Sequence, residues 1–258
     1  MQAVNKQSLG SQKSLKAKPR QTPFAEAKWP KRSSDPSLSA LALRTLWPTQ
    51  IYKSKLVASS KPRSRSQAKQ KLISELLRET LIIREIDEEG QAWSKDRYVN
   101  GFTSYASWDD LHLRFAAFEE LEKALRPHVR KFARALNWDL GAGHLEMSTC
   151  WVNVMPPDCT HSWHIHPQSV ISGTVYISTP PSSSPIKFED PRHDRMMNSP
   201  PRRQDAHPQQ QRQQPHIAIK PEAGEVILFE SWLRHEVPIS KARRDRISVS
   251  FNYSWRNS

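Results

Sequence analysis

Apolar residues recur at helical spacing in the first half of this chain and at every second position in the second half, so two kinds of element follow one another. Leu72, Ile73, Leu76, Leu77 and Leu81 mark one face of a helix that begins around Gln70 and ends at the acidic Asp87-Glu88-Glu89-Gly90. A second helical stretch starts after Asp109, a plausible N-cap. Leu111, Leu113, Phe115, Phe118, Leu121, Leu125, Val129, Phe132 and Leu136 carry its packing to Pro127 and beyond. Before the helices, Leu46 to Tyr52 reads as a short extended piece. After Gly143 the period changes to two. Strands are expected over residues 145–155, 169–178, 186–189, 216–220, 225–229 and 246–253, with short ones at His164 and at Glu236-Val237. About eight strands is the number of a double-sheet jelly roll, so the pattern predicts a mainly β, cupin-like double-stranded β-helix over about 144–255, supported by N-terminal helices over about 70–140.

Composition changes this picture at the N-terminus. Of the 39 Lys and Arg, sixteen lie in residues 1–71 together with only two of the 26 Asp and Glu, so the formal charge of +13 belongs to that segment and the remainder is essentially neutral. Residues 1–42, polar and punctuated by Pro19, Pro23, Pro30 and Pro36, read as a basic disordered tail, and residues 43–258 as one catalytic-sized domain. Such a tail can touch nucleic acid without sequence preference, but the balance gives the domain itself no basic groove. The stretch 190–215, rich in Pro, Arg and Gln, reads as a mobile insertion, and it contains His193 and His207. No apolar run has membrane-spanning length, and Cys150 and Cys159 match no zinc-ribbon spacing, so both read as buried or idle thiols of a soluble, cytoplasmic protein. The acid-poor N-terminus leaves an organellar transit segment open as an alternative.

The candidate chemistry lies in the histidines. His161, His164 and His166 are answered about seventy residues later by His235. Two histidines at i and i+2 of an extended segment point the same way, so His164 and His166 can share a metal ion that His235 closes from a distance; His161 is the alternative to His166. On the run Asp245 to Phe251, alternation places Arg246, Ser248 and Ser250 on one face, where they can grip a carboxylate. An open metal centre beside a carboxylate clamp points to an oxygenase. Asn153 is a further candidate for orienting a co-substrate or for an ordinary strand hydrogen bond. Trp151, Trp163 and Trp232 either stack on a substrate or pack the barrel and its rim. Asp190 and Arg192 either line the mouth or close a turn around Pro191. His112 and His128, within helices, read as structural histidines.

The runs Trp151-Val-Asn-Val-Met-Pro-Pro157, His164-Ile-His166 to Tyr176, Phe188-Glu-Asp-Pro-Arg192, Phe229-Glu-Ser-Trp-Leu-Arg-His235 and Arg246-Ile-Ser-Val-Ser-Phe-Asn252 together resemble an uncharacterised Fe(II)/2-oxoglutarate oxygenase family of bacteria, including marine cyanobacteria, and their phages. Leu46 to Tyr52 resembles its first strand, and Asn100-Gly-Phe-Thr-Ser104 its glycine-containing N-terminal motif. The resemblance implies a double-stranded β-helix, mononuclear Fe(II), and 2-oxoglutarate and O2 as co-substrates. Hydroxylation of an unidentified substrate would release succinate and CO2. Carried over by position, His164, His166 and His235 hold the metal, Arg246 binds the far carboxylate of 2-oxoglutarate, and Ser248 assists. Position 166 departs from the His-x-Asp/Glu pair of the wider superfamily, which leaves the centre one unit more positive.

Two other classes fit parts of the pattern. A cupin-type three-histidine metalloenzyme needs no 2-oxoglutarate; it shares the barrel and a Pro221-Glu-Ala-Gly224 turn, but gives no reason for Arg246-x-Ser248. A non-catalytic metal- or 2-oxoglutarate-binding module would use the same pocket without turnover. The primary substrate and the oligomeric state have no signature in the chain.

Overall fold

A computed structural model describes residues 46–56, 65–98, 100–197, 199–200 and 214–257. The tail reading for residues 1–42, the Gln-rich run with His207, and residues 59–64 of the polar stretch that precedes the first helix lie outside these residues. Residues 49–258 form one unit, described below; of the unit formed by residues 1–48, only Leu46 to Pro48 are described.

The chain runs β1 (Ile51–Lys55), α1 (Arg65–Ile86), α2 (Glu88–Arg97), β2 (Phe102–Thr103), α3 (Leu111–Arg114), α4 (Ala116–Ala135), β3 (His144–Met155), β4 (His161–His164), β5 (Ile171–Ser178), β6 (Ile186–Glu189), α5 (Asp194–Met197), β7 (His216–Ile219), β8 (Glu225–Glu230), β9 (His235–Val237) and β10 (Arg246–Arg256). Six strands form one sheet in the order β1-β8-β5-β10-β3-β2, and four form the facing sheet, β4-β9-β6-β7, with antiparallel pairing throughout. This is the mainly β, double-stranded β-helix architecture with helical support that the periodicity predicts, with ten strands among the described residues where about eight are expected.

Period-two alternation decides which side chains meet the helices and which face the barrel. On β10, Ile247, Val249, Phe251 and Tyr253 join the core beneath α1 and α4, where they meet Leu76, Ile83, Phe118, Leu121, Leu125 and Phe132. Their neighbours Arg246, Ser248 and Ser250 face the other way, into the barrel. β3 divides likewise, Val152 and Val154 toward the helices and Trp151, Asn153 and Met155 inward. The sheet is thus apolar on both sides except where the pocket is polar, and burying each core side chain contributes about 1.5–3 kcal/mol.

One local reading is extended and two are corrected. The acidic Asp87-Glu88-Glu89-Gly90 follows the end of α1 at Ile86, as expected, and also opens a further helix. The buried Asp87 caps α2, its Oδ1 accepting from Gly90 N at 2.9 Å, while Ser107 Oγ donates to its Oδ2 at 2.6 Å. The long second helix is broken at Phe115, whose backbone is extended (φ −129°, ψ 134°), into α3 and α4, and Asp110 rather than Asp109 takes the N-cap position of α3. α1 also begins at Arg65, about two turns before the apolar periodicity starts at Leu72.

At Gly173 on β5, a Cβ would lie 2.6 Å from Leu228 Cδ2 and from the ring of Phe251. Gly173→Ala is therefore expected to cost about 1–3 kcal/mol by overpacking. Urea unfolding of the variant beside the wild type measures it, and equal midpoints would contradict it.

Candidate metal centre

β4 and β9 pair with His164 opposite His235, which brings ends of the chain some seventy residues apart into one register. His166 is not on the strand with His164. β4 stops at His164, and the backbone N–H of His166 donates to the carbonyl of Ser231 at 3.0 Å, turning the segment so that its ring lies beside His235. The simple i, i+2 geometry expected of the motif is thus replaced by a strand end and a turn, with the same convergence.

The candidate ligand nitrogens of His164, His166 and His235 all lie within 4.8 Å of one another. Two of the rings are fixed from behind. His164 Nδ1 donates to the Ser162 carbonyl at 2.7 Å and His235 Nδ1 to the Leu233 carbonyl at 2.9 Å, so each presents an Nε2 lone pair to the pocket. Nε2 of His166 and Nε2 of His235 stand 3.3 Å apart. Burial holds His235 down to about 2 and His166 to about 4, with the neighbouring His164 adding to both, and burial lowers His164 as well. Neutral imidazoles with lone pairs converging on one point are a donor set that suits a divalent first-row metal.

His161 is close but differently placed. Its ring stacks on His164 at a centroid distance of 4.0 Å and meets Tyr98 edge-on at 5.0 Å, and burial pushes it down to about 3, yet it does not belong to the convergent group.

Arg246 enters the same pocket from β10. It is only 3% exposed, and among the described residues no carboxylate pairs with it. Its Nη1 donates to Met155 Sδ at 3.2 Å, its guanidinium lies 5.0 Å from the centroid of the Tyr176 ring, and its Nε has no hydrogen-bond partner. Two other buried polar atoms of the pocket are also without partners, Asn153 Oδ1 and Tyr176 OH. Asn153 Nδ2 donates to Ser250 Oγ at 3.0 Å, which fixes the amide and leaves its oxygen free. Ser248 lines the pocket between Asn153 and Tyr176, its partners across the sheet. A buried cation and unpaired buried donors are expensive unless something completes them, and a carboxylate-bearing ligand would do so for the Arg246 guanidinium and the Tyr176 hydroxyl. All six residues singled out in the sequence, His164, His166, His235, Asn153, Arg246 and Ser248, therefore line one pocket.

Sequence reasoning missed Met155 and Tyr176, which cradle Arg246. Their signal was the register itself, since Met155 lies opposite Arg246 on β3 and Tyr176 opposite Ser248 on β5. Trp151 lines the pocket and stacks near His166 with centroids 5.7 Å apart, whereas Trp163 packs against His216, Lys187 and Arg234 away from it, and Trp232 is exposed. Asp190 and Arg192 close a turn by a two-pronged ion pair at 2.8 and 2.9 Å, with Arg195 as a third partner, and do not reach the pocket. His128 accepts or donates a hydrogen bond with Tyr52 OH at 2.8 Å, and Cys150 and Cys159 are buried free thiols. No helix among the described residues is long and apolar enough to cross a membrane.

Residues 149–252 match the model of a family described as "Putative 2OG-Fe(II) oxygenase", a description that names both the iron and 2-oxoglutarate. Among solved structures, a prolyl-4-hydroxylase from Pseudomonas putida is 16% identical, with 81% of this chain and 94% of that one covered at a TM-score of 0.50. HygX from Streptomyces hygroscopicus, solved with nickel, 2-oxoglutarate and hygromycin B, is 14% identical, covering 80% and 83% at 0.50. An oxidoreductase of the 2OG-Fe(II) oxygenase family from Burkholderia pseudomallei is 17% identical at a TM-score of 0.40; the match takes in 54% of this chain and 59%, less than two thirds, of that one. At these identities the likeness is one of fold. No curated protein matches the chain.

Proposed function

We propose, from the premise that this chain carries a 2OG-Fe(II) oxygenase domain over residues 149–252, that it is a 2-oxoglutarate-dependent dioxygenase that hydroxylates a C–H bond of its substrate. The observation that carries this reading is the buried, carboxylate-free Arg246 sharing one pocket with the three convergent histidines. His164, His166 and His235 hold Fe(II), with their Nε2 atoms as the donors. Arg246 and Ser248 take the distal carboxylate of 2-oxoglutarate, and the unpaired Tyr176 hydroxyl is free to donate to it. When bound, the iron with 2-oxoglutarate and O2 supplies the oxidising chemistry: one oxygen atom goes to the substrate as hydroxyl and the other to succinate, with loss of CO2.

The chain's own contribution is placement. Ser162 and Leu233 carbonyls fix the rings of two ligands, Met155 and Tyr176 aim the guanidinium before any ligand arrives, and Phe229, Val237 and Tyr98 keep water from the inner end of the pocket. A cupin-type reading assigns Arg246 no task, and burying an unpaired arginine without one is costly. We assign the activity to residues 43–258, with the basic segment 1–42 as an appendage. Two buried free thiols suit a reducing compartment, which supports a cytoplasmic reading.

Anaerobic addition of 2-oxoglutarate to the Fe(II)-loaded protein tests this. A visible charge-transfer band is expected in the wild type. Bound iron that gives no band on adding 2-oxoglutarate would shift the reading to the cupin-type enzyme; a band with no turnover of any substrate would shift it to a binding module.

A further inference from the structure

We infer that the primary substrate presents an anion, specifically a carboxylate, to the metal side of this pocket; the inference rests on the ligand and clamp assignments proposed above. It comes from a charge inventory. The residues that line the pocket include four histidines and Arg246, but neither aspartate nor glutamate. Glu225, whose field reaches Tyr176, is already engaged by Lys53 at 3.0 Å and Lys55 at 3.1 Å. Arg246 therefore brings one buried positive charge that no described residue balances.

A ferrous ion adds two positive charges and 2-oxoglutarate removes two, so the loaded pocket retains one. With an aspartate or glutamate in place of His166, the same inventory would close at zero. The walls offer no charge to offset the excess: Phe229, Met155, Val237 and Tyr98 are all buried, and the polar groups beside them, Asn153, Thr174, Ser248 and Ser250, are uncharged. The remaining place for a compensating charge is the incoming substrate. Its route is marked by Tyr105, 48% exposed, which meets Trp151 edge-on at 5.0 Å, while Trp151 in turn stacks near His166. An apolar body lying along these rings would carry its carboxylate toward the uncompensated centre.

The test uses the full-length chain loaded with cobalt(II) and saturated with labelled 2-oxoglutarate in chloride-free buffer. It is titrated with acetate and, separately, with acetamide of the same size, and the visible absorption of the cobalt is followed. Acetate is expected to bind at least about tenfold more tightly, a difference of about 1.4 kcal/mol, and the preference is expected to collapse in His166→Asp, which restores the missing negative charge. Equal binding of acetamide, a preference unchanged in His166→Asp, or release of labelled 2-oxoglutarate by acetate overturns the inference. Should His166→Asp not hold cobalt, the comparison in the wild type decides alone. A wild type that binds neither cobalt nor 2-oxoglutarate sinks the functional reading instead, a result distinct from all of these.

Discussion

Replacing His235 by Ala is expected to lower Fe(II) affinity by more than about 100-fold, a larger loss than the 10- to 100-fold typical of residues that only support a metal ligand. The side chain is 5% exposed, its Nδ1 is tied to the Leu233 carbonyl, and its Nε2 faces that of His166 at 3.3 Å, so its loss removes one of the three convergent donors. The ring also packs against Phe229 at 4.6 Å and Phe188 at 6.0 Å, and its removal will lower stability as well. Iron content after dialysis, with a thermal melt of the metal-free protein, separates the two effects. The companion pair is His161→Ala and His166→Ala. The first should keep iron and the second lose it. The reverse result would transfer the second ligand position to His161, the alternative that the sequence leaves open.

That alternative shows where a one-dimensional reading stops. Alternation on β10 and β3 made Arg246, Ser248 and Asn153 legible because a strand's period of two is fixed by its backbone. The histidine motif was legible as a set, but not its geometry: nothing in His164-Ile165-His166 says that β4 ends at the first histidine and that Ser231, on a distant turn, captures the backbone of the second. Met155 and Tyr176 were invisible for a related reason. Each is an ordinary inward-facing strand residue until register places it against Arg246, and register across a sheet is a property of three strands at once. The end of α1 before Asp87 was legible, but the polar α2 that this carboxylate caps carries no apolar period to announce it, and at Phe115 a single extended residue divides a stretch whose apolar spacing continues almost unbroken.

Arg246→Met should weaken 2-oxoglutarate binding by roughly 30- to 5,000-fold, the about 2–5 kcal/mol lost when one partner of a buried charge pair is removed, while leaving iron in place. The same substitution should make the ligand-free protein more stable. In the absence of 2-oxoglutarate the guanidinium is a buried cation whose contacts are a thioether and a ring face, with Nε unpartnered. Replacing such a charge by an apolar side chain of similar length beside Met155 removes the desolvation cost without opening a large cavity, a change that at buried ion pairs stabilises by about 1–4 kcal/mol. The arginine is thus held at the expense of stability, and the ligand repays it: at 100 times its wild-type Kd, 2-oxoglutarate should stabilise the wild type by about 2.7 kcal/mol and the variant by less than about 0.9 kcal/mol. Thermal melts of both proteins with and without 2-oxoglutarate give a crossing pattern, the variant higher when empty and the wild type gaining most when loaded. A variant that is less stable when empty and also loses iron would show instead that Arg246 holds the barrel together, and the clamp would have to be sought elsewhere.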